Sequence, residues 1–244
     1  MLQHYSLLEA IYESPFFWMV RDKDYSSTAL ANRGHFTETF IADRLDAVFG
    51  ASRVLRNVEI YKNKNRYAEV DVLVVYGDRA IVVQAKSKRL TLEARKGNDR
   101  QLKDDFKKAV QESYDQALLC SQALIGDGYR FVLPSGAEIA IGRKPKFIFP
   151  ICVVSDHYPA LAFQARQFLQ TMATESIQSP LVTDVCTVDV FVEMLNSPLQ
   201  LLNYLALRAR FGSKLSGSNE LTNARLPLDA QSLGRWRIRL FGFG

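Results

Sequence analysis

The stretch AEVDVLVVYGDRAIVVQAKSKRL, Ala68 to Leu90, decides how this chain is read. Two runs of β-branched residues flank Gly77-Asp78, and Gly first in a two-residue loop suits a type II′ hairpin turn. With that turn, Tyr76 faces Arg79 and every opposed pair of positions sums to 155. Asp71 then lies opposite Gln84, and Glu69 opposite Lys86. Strands alternate with period two, so these four side chains project from one face. The other face, Val70, Val72 and Val74 with Ile81 and Val83 across the hairpin, is apolar. One face is expected in the core, while the other gathers a carboxylate, an amide and an ammonium.

That combination suits phosphodiester chemistry, in which anionic oxygens must be stabilised, a water deprotonated near neutral pH, and charge offset by a cation. The Asp71 carboxylate, the Gln84 amide oxygen and the Ala85 backbone carbonyl are hard oxygen ligands of the kind Mg²⁺ or Mn²⁺ accepts. Zinc would call for His or Cys. A further carboxylate comes from the preceding helix, expected over Phe36–Phe49 and closed by Gly50. At 100° per residue, Glu38 falls in line with Ile41, Ala42, Leu45 and Phe49, whereas Asp43 points away. A carboxylate within an apolar stripe needs a partner, which a metal ion or Lys86 would supply.

The order of helix-borne Glu38, Asp71 on a strand, then Gln84-Ala85-Lys86 on its partner resembles the PD-(D/E)XK nuclease superfamily in its QxK variant. Mrr-type restriction endonucleases show that variant, and the nuclease-related (NERD) domain is similar. The resemblance covers about Phe36 to Val154. It implies a restriction-endonuclease-like α/β (α+β) fold, a mixed sheet flanked by helices, and a Mg²⁺- or Mn²⁺-dependent nuclease hydrolysing DNA, with RNA left open. It further implies that Asp71 ligates the metal with Gln84 and the Ala85 carbonyl, that Lys86 positions or activates water, and that Glu38 is an auxiliary ligand. Two departures stand out: Val70 occupies the place of the name-giving proline, and Gln84 replaces an acid, removing one negative charge. The alternative is a nuclease-like module that binds nucleic acid without cleaving it.

Around this centre the chain reads as mixed helix and strand. A helix is expected over residues 5–20 with a break at Pro15, a connector over Ser26–Gly34, and strands over 53–61, 67–76 and 79–86. A long helix follows over Asp99–Ile125, then a short hairpin around Pro134, Ser135 and Gly136 and a buried strand over Phe147–Val154. Further helices are expected over Pro159–Thr174 and Thr187–Arg210. The divisions drawn are an N-terminal helical extension (1–30), a nuclease-like core (31–155), a C-terminal helical addition (156–211), and a linker with a basic tail (212–244), the tail read as a basic arm or, in preference, as the place where a longer chain was cut. The helical addition suits a homodimer contact or docking of a further C-terminal domain.

The 244 residues carry 31 Lys and Arg against 26 Asp and Glu, a net charge of +5. The whole excess falls between Lys86 and Lys108, where nine basic residues meet four acidic ones. Lys88, Arg89, Arg100, Lys103 and Lys107 are therefore candidate phosphate contacts, with Gln111 and Tyr114 extending the helical stripe and Glu69 in support near the site. Such contacts are sequence-independent and salt-sensitive. Three scattered cysteines argue against a disulfide framework and fit a cytoplasmic protein. No stretch reaches the roughly 20 apolar residues a membrane helix needs, so no membrane partner is expected. No nucleotide-binding glycine loop occurs, and His4, His35 and His157 accompany no nucleophile motif. These absences set aside nucleotide-dependent and His-based hydrolytic chemistry.

Overall fold

The computed structural model describes residues 4–87, 98–155 and 168–211. Five helices flank one seven-stranded mixed sheet, the arrangement of a restriction-endonuclease-like α/β fold. The strands are β1 (Val54–Lys62), β2 (Asn65–Tyr76), β3 (Arg79–Lys86), β4 (Tyr129–Val132), β5 (Glu138–Ile139), β6 (Phe147–Val154) and β7 (Leu181–Asp184). They lie in the order β5-β4-β1-β2-β3-β6-β7. The first five pair antiparallel, and β6 then runs parallel to both β3 and β7. Parallel pairing of β3 with β6 requires a long crossover. It carries helix α3, made of Asp99–Phe106, a π-turn over Lys107–Gln111, and Glu112–Ile125.

Both sheet faces are covered. Helices α2 (Ser26–Phe49), α4 (Val185–Met194) and α5 (Pro198–Phe211) bury Ile41, Leu45, Phe191 and Leu202 against Val72, Val74, Ile81 and Val83. On the other face α3 packs Ala117, Cys120 and Leu124 against Leu73, Ala80 and Val82. Burying these aliphatic side chains contributes roughly 1.5–3 kcal/mol each before entropy is counted. The helical spacing read along Asp99–Ile125 is seen directly: Phe106, Ala109, Ser113, Ala117, Cys120 and Leu124 are all buried.

The β2–β3 hairpin has the expected register, from Tyr76↔Arg79 to Val72↔Val83, around a turn in which Gly77 takes φ 61°. The expected single apolar face does not extend to Val70. Val72 and Val74 face α2, but Val70 joins the α3-side cluster with Leu73. β1 makes the same exchange: Arg56 binds Asp43 and Asp46 of α2, while Val58 and Ile60 face α3. The crossing point lies between Arg56↔Val72 and Val58↔Val70, where Asn57 has φ 49°. A residue in the left-handed region reverses the pleat, so both strands roll over together at Asn57 and Asp71.

Other differences have local causes. Helix α1 (His4–Arg21) runs through Pro15, which is exposed so that the carbonyl it leaves unpaired can meet water. Ser26–Gly34 is helical and continuous with Phe36–Phe49, because Ala29 is buried and Gly34 brings the helix close to Ser87. The helix expected over Pro159–Thr174 lies outside the described residues up to 167, and 169–174 are not helical. Leu181–Asp184, read as part of a helical addition, is an added parallel strand. Thr187–Arg210 divides into two helices at Ser197, whose backbone and hydroxyl accept from Leu201 and Gln200.

Candidate active site

Beyond Val72↔Val83 the two strands of the hairpin part. In an unbroken ladder the amide of Ala85 would donate to the carbonyl of Val70. Here it donates instead to Oδ2 of Asp71 at 2.7 Å. Residues of one strand point their amide and carbonyl to the same edge, and Lys86 turns its carbonyl to Ser155 on the β6 side. The Ala85 carbonyl therefore faces the edge that β2 has left. Gln84 is buried, and its Nε2 donates to the Glu69 carbonyl at 2.7 Å, leaving Oε1 as the amide's remaining acceptor.

The parting opens a cleft of about 410 Å³ lined by Asp71, Gln84, Lys86 and Glu69, by Arg66, Tyr67 and Ala68, and by Gln116 and Leu119 of α3. Helix α2 places Glu38 beside it. Ile41, Ala42, Leu45 and Phe49 of the same stripe are buried, while Glu38 is partly buried and does not line the cleft. Burial pushes the Glu38 carboxyl above its usual range, the Glu69 charge adds to this, and His35 and Lys86 oppose it. Asp71 is pushed up to about 6, first by burial, against the Ala85 hydrogen bond and Lys86, with Glu38 and Glu69 raising it further. Three carboxylates thus crowd a partly desolvated space.

The donor chemistry fits a hard divalent cation. Among the described residues no group of three or more His, Cys, Asp and Glu side chains is arranged to hold a metal ion. A cation here would draw on the carboxylates of Asp71 and Glu38 together with the neutral oxygens of Gln84 and Ala85, a set suited to Mg²⁺ or Mn²⁺.

The sequence reading and the geometry diverge at several residues. Glu69, which the expected hairpin register sets opposite Lys86, is ion-paired with Arg66. Tyr114 does not extend an exposed stripe: it is buried, and its hydroxyl is bound to both the amide and the carbonyl of Met172. Gln111 is engaged by Asp115 and Gln170. The π-turn at Lys107–Gln111 shifts the helix phase, so the count from Arg100 does not carry past it. Arg100, Lys103 and Lys107 are exposed and do not line the cleft, and Lys88 and Arg89 lie outside the described residues.

Two contributors escaped the sequence. Arg66, at the start of β2, fell between the expected turn and the expected strand and was passed over. Cys120 donates to the Glu69 carbonyl at 3.2 Å and receives Gln84 Nε2 at 3.7 Å, so α3 helps hold the kinked end of β2. Its helical spacing had marked it only as core.

No helix among the described residues is long and apolar enough to cross a membrane. No curated protein matches the chain. The family model described as NERD, nuclease-related domain, matches residues 33–155, just over half of the chain and the segment from α2 to the end of β6 that builds this cleft. The chain belongs to the nuclease-related domain family, consistent with the PD-(D/E)XK arrangement of its hairpin.

Proposed function

We propose that the protein is a Mg²⁺- or Mn²⁺-dependent nuclease that hydrolyses phosphodiester bonds, with DNA as its substrate. The observation that carries this reading is the clamp of Asp71 onto the Ala85 amide, which holds a carboxylate in the wall of a cleft shared with Gln84 and Lys86. When bound there, the cation would supply Lewis-acid stabilisation of a phosphoryl oxygen and a water of lowered pKa. The chain's own residues do the positioning. Asp71, Gln84 and the Ala85 carbonyl form a fixed oxygen set, rigid because Gln84 is locked to Glu69 and Ala85 to Asp71. Lys86 brings an ammonium to the cleft wall, where it orients the attacking water and offsets charge developing on the phosphate. Glu38, partly desolvated beside Lys86, accepts a proton or completes the cation's ligands.

The test is cleavage of supercoiled plasmid, linear duplex and single strands with Mg²⁺ and with Mn²⁺. Asp71→Ala and Lys86→Ala should each lower the rate by at least about 100-fold while melting as a folded protein. Cleavage at the wild-type rate by both variants would end the assignment. Metal-independent binding that Asp71→Ala leaves intact, with no cleavage by the wild type, would establish the non-cleaving alternative.

A further inference from the structure

The turn joining β1 and β2 carries Lys62, Lys64 and Arg66 within five residues, all exposed. Arg66 reaches inward: it lines the cleft, its Nε lies 3.1 Å from Glu59, and its guanidinium also meets Glu69. Strand β4 fixes the turn, because Arg130 donates to the Asn63 carbonyl at 3.3 Å. Tyr129, also on β4, sets its ring at a tilt of 58° against that of Tyr67 in the cleft wall, centroids 5.0 Å apart, and carries the Lys62 ammonium over its ring at 4.9 Å. The acids at this end, Glu59, Glu69 and Glu138, are each paired with Arg66 or Arg130. Lys62 and Lys64 have no carboxylate partner among the described residues. Unpaired positive charge therefore sits at the tip of the turn, on Lys62 and Lys64, and a carboxylate-paired guanidinium, Arg66, links it to the cleft.

We propose that this turn is the surface that receives the nucleic-acid backbone flanking the scissile phosphate. Arg66 exchanges one of its carboxylate partners for a phosphate at the cleft, and Lys62 and Lys64 meet the next phosphates outward. A guanidinium already held in a two-carboxylate fork has the planar donor geometry that phosphate requires. The proposal deepens the phosphodiester reading above and rests on it. It places the main electrostatic contact on the sheet side of the cleft and not on α3.

The experiment is fluorescence anisotropy with labelled 20-mers of duplex DNA, single-stranded DNA and RNA, in EDTA, over a series of KCl concentrations, alongside cleavage of the same oligomers with Mn²⁺. The double variant Lys62→Ala/Lys64→Ala, at an exposed turn, should bind about 10-fold more weakly at low salt and lower the salt slope by roughly two. Arg66→Ala should lower it by roughly one, and Arg66→Lys should recover part of the affinity. A wild type that cleaves while these variants keep its affinity and slope overturns this inference alone. A wild type that binds without cleaving, with the slopes reduced in the variants, supports the surface and removes the catalytic reading. A wild type that neither binds nor cleaves any of the oligomers overturns both.

Discussion

Asn57, at φ 49°, stands across from Asp71 at the point where β1 and β2 change faces together. The kink rolls Val70 onto the α3 side and frees the Asp71 carboxylate to take the amide of Ala85 in place of a strand carbonyl. Asn tolerates the left-handed region and Gly enters it without cost, but a β-branched residue does not, at about 1–2 kcal/mol or more. Asn57→Gly should therefore keep both stability and metal-dependent cleavage close to wild type. Asn57→Val should lower the urea midpoint by the equivalent of about 2 kcal/mol and depress cleavage. Equal behaviour of the two variants would show that the kink does not depend on Asn57.

The raised pKa of Asp71 has a consequence for stability. Its folded value of about 6 lies above the ordinary 3.8, so between those values the folded protein binds more protons than the unfolded chain. Stability from this group is complete at low pH and lost as pH climbs through the window, a cost of up to about 3 kcal/mol above it. Asp71→Asn, whose amide oxygen can still accept from Ala85, should be more stable than wild type at pH 7.5, with a smaller gap at pH 4.5. Urea unfolding at the two values measures this. Added Mn²⁺ should narrow the gap at pH 7.5 by stabilising the wild type only.

Much of this was legible in the residues, for identifiable reasons. The β2–β3 register followed from Gly77-Asp78 because a two-residue turn fixes every pair after it. Glu38 was legible because helical periodicity runs unbroken from it to Phe49. The face exchange at Asp71 was not, since it depends on a left-handed Asn57 on another strand, and strict alternation carried Val70 to the wrong side. Tyr114 was misplaced by the π-turn at Lys107–Gln111, which leaves no mark on the spacing of the basic residues used to draw the stripe. Ser26–Gly34 looks like a connector by composition, and its helix exists through packing of residues such as Ala29. Arg66 was hidden beside a turn, at the exposed start of β2, where a basic residue ordinarily signifies only solvation.

The three cysteines should differ sharply in reactivity. Burial pushes the thiols of Cys120 and Cys152 up to about 12; burial and the charges of Asp184 and Asp189 also raise that of Cys186 on α4, but this residue is exposed. Since the thiolate is the nucleophile, iodoacetamide at pH 8 should label Cys186 in the native protein and reach the other two only after unfolding. Peptide mass spectrometry reads the sites directly. Rapid native labelling of Cys120 would mean that α3 does not close over the Glu69 carbonyl.

Tyr114 and the exposed basic residues of α3 are separated by a pair of variants. The Tyr114 hydroxyl donates to the Met172 carbonyl at 3.1 Å and accepts from its amide at 2.8 Å, tying α3 to the segment before β7. Removing the hydroxyl leaves two backbone groups to find water, a loss of about 1–3 kcal/mol. Tyr114→Phe should therefore unfold at lower urea while binding nucleic acid as the wild type does. Arg100→Ala/Lys103→Ala/Lys107→Ala should leave unfolding unchanged and lower the salt slope by less than Lys62→Ala/Lys64→Ala does, since the main phosphate contact lies on the sheet side. A binding defect in Tyr114→Phe at full stability would return the tyrosine to the interface and contradict its burial.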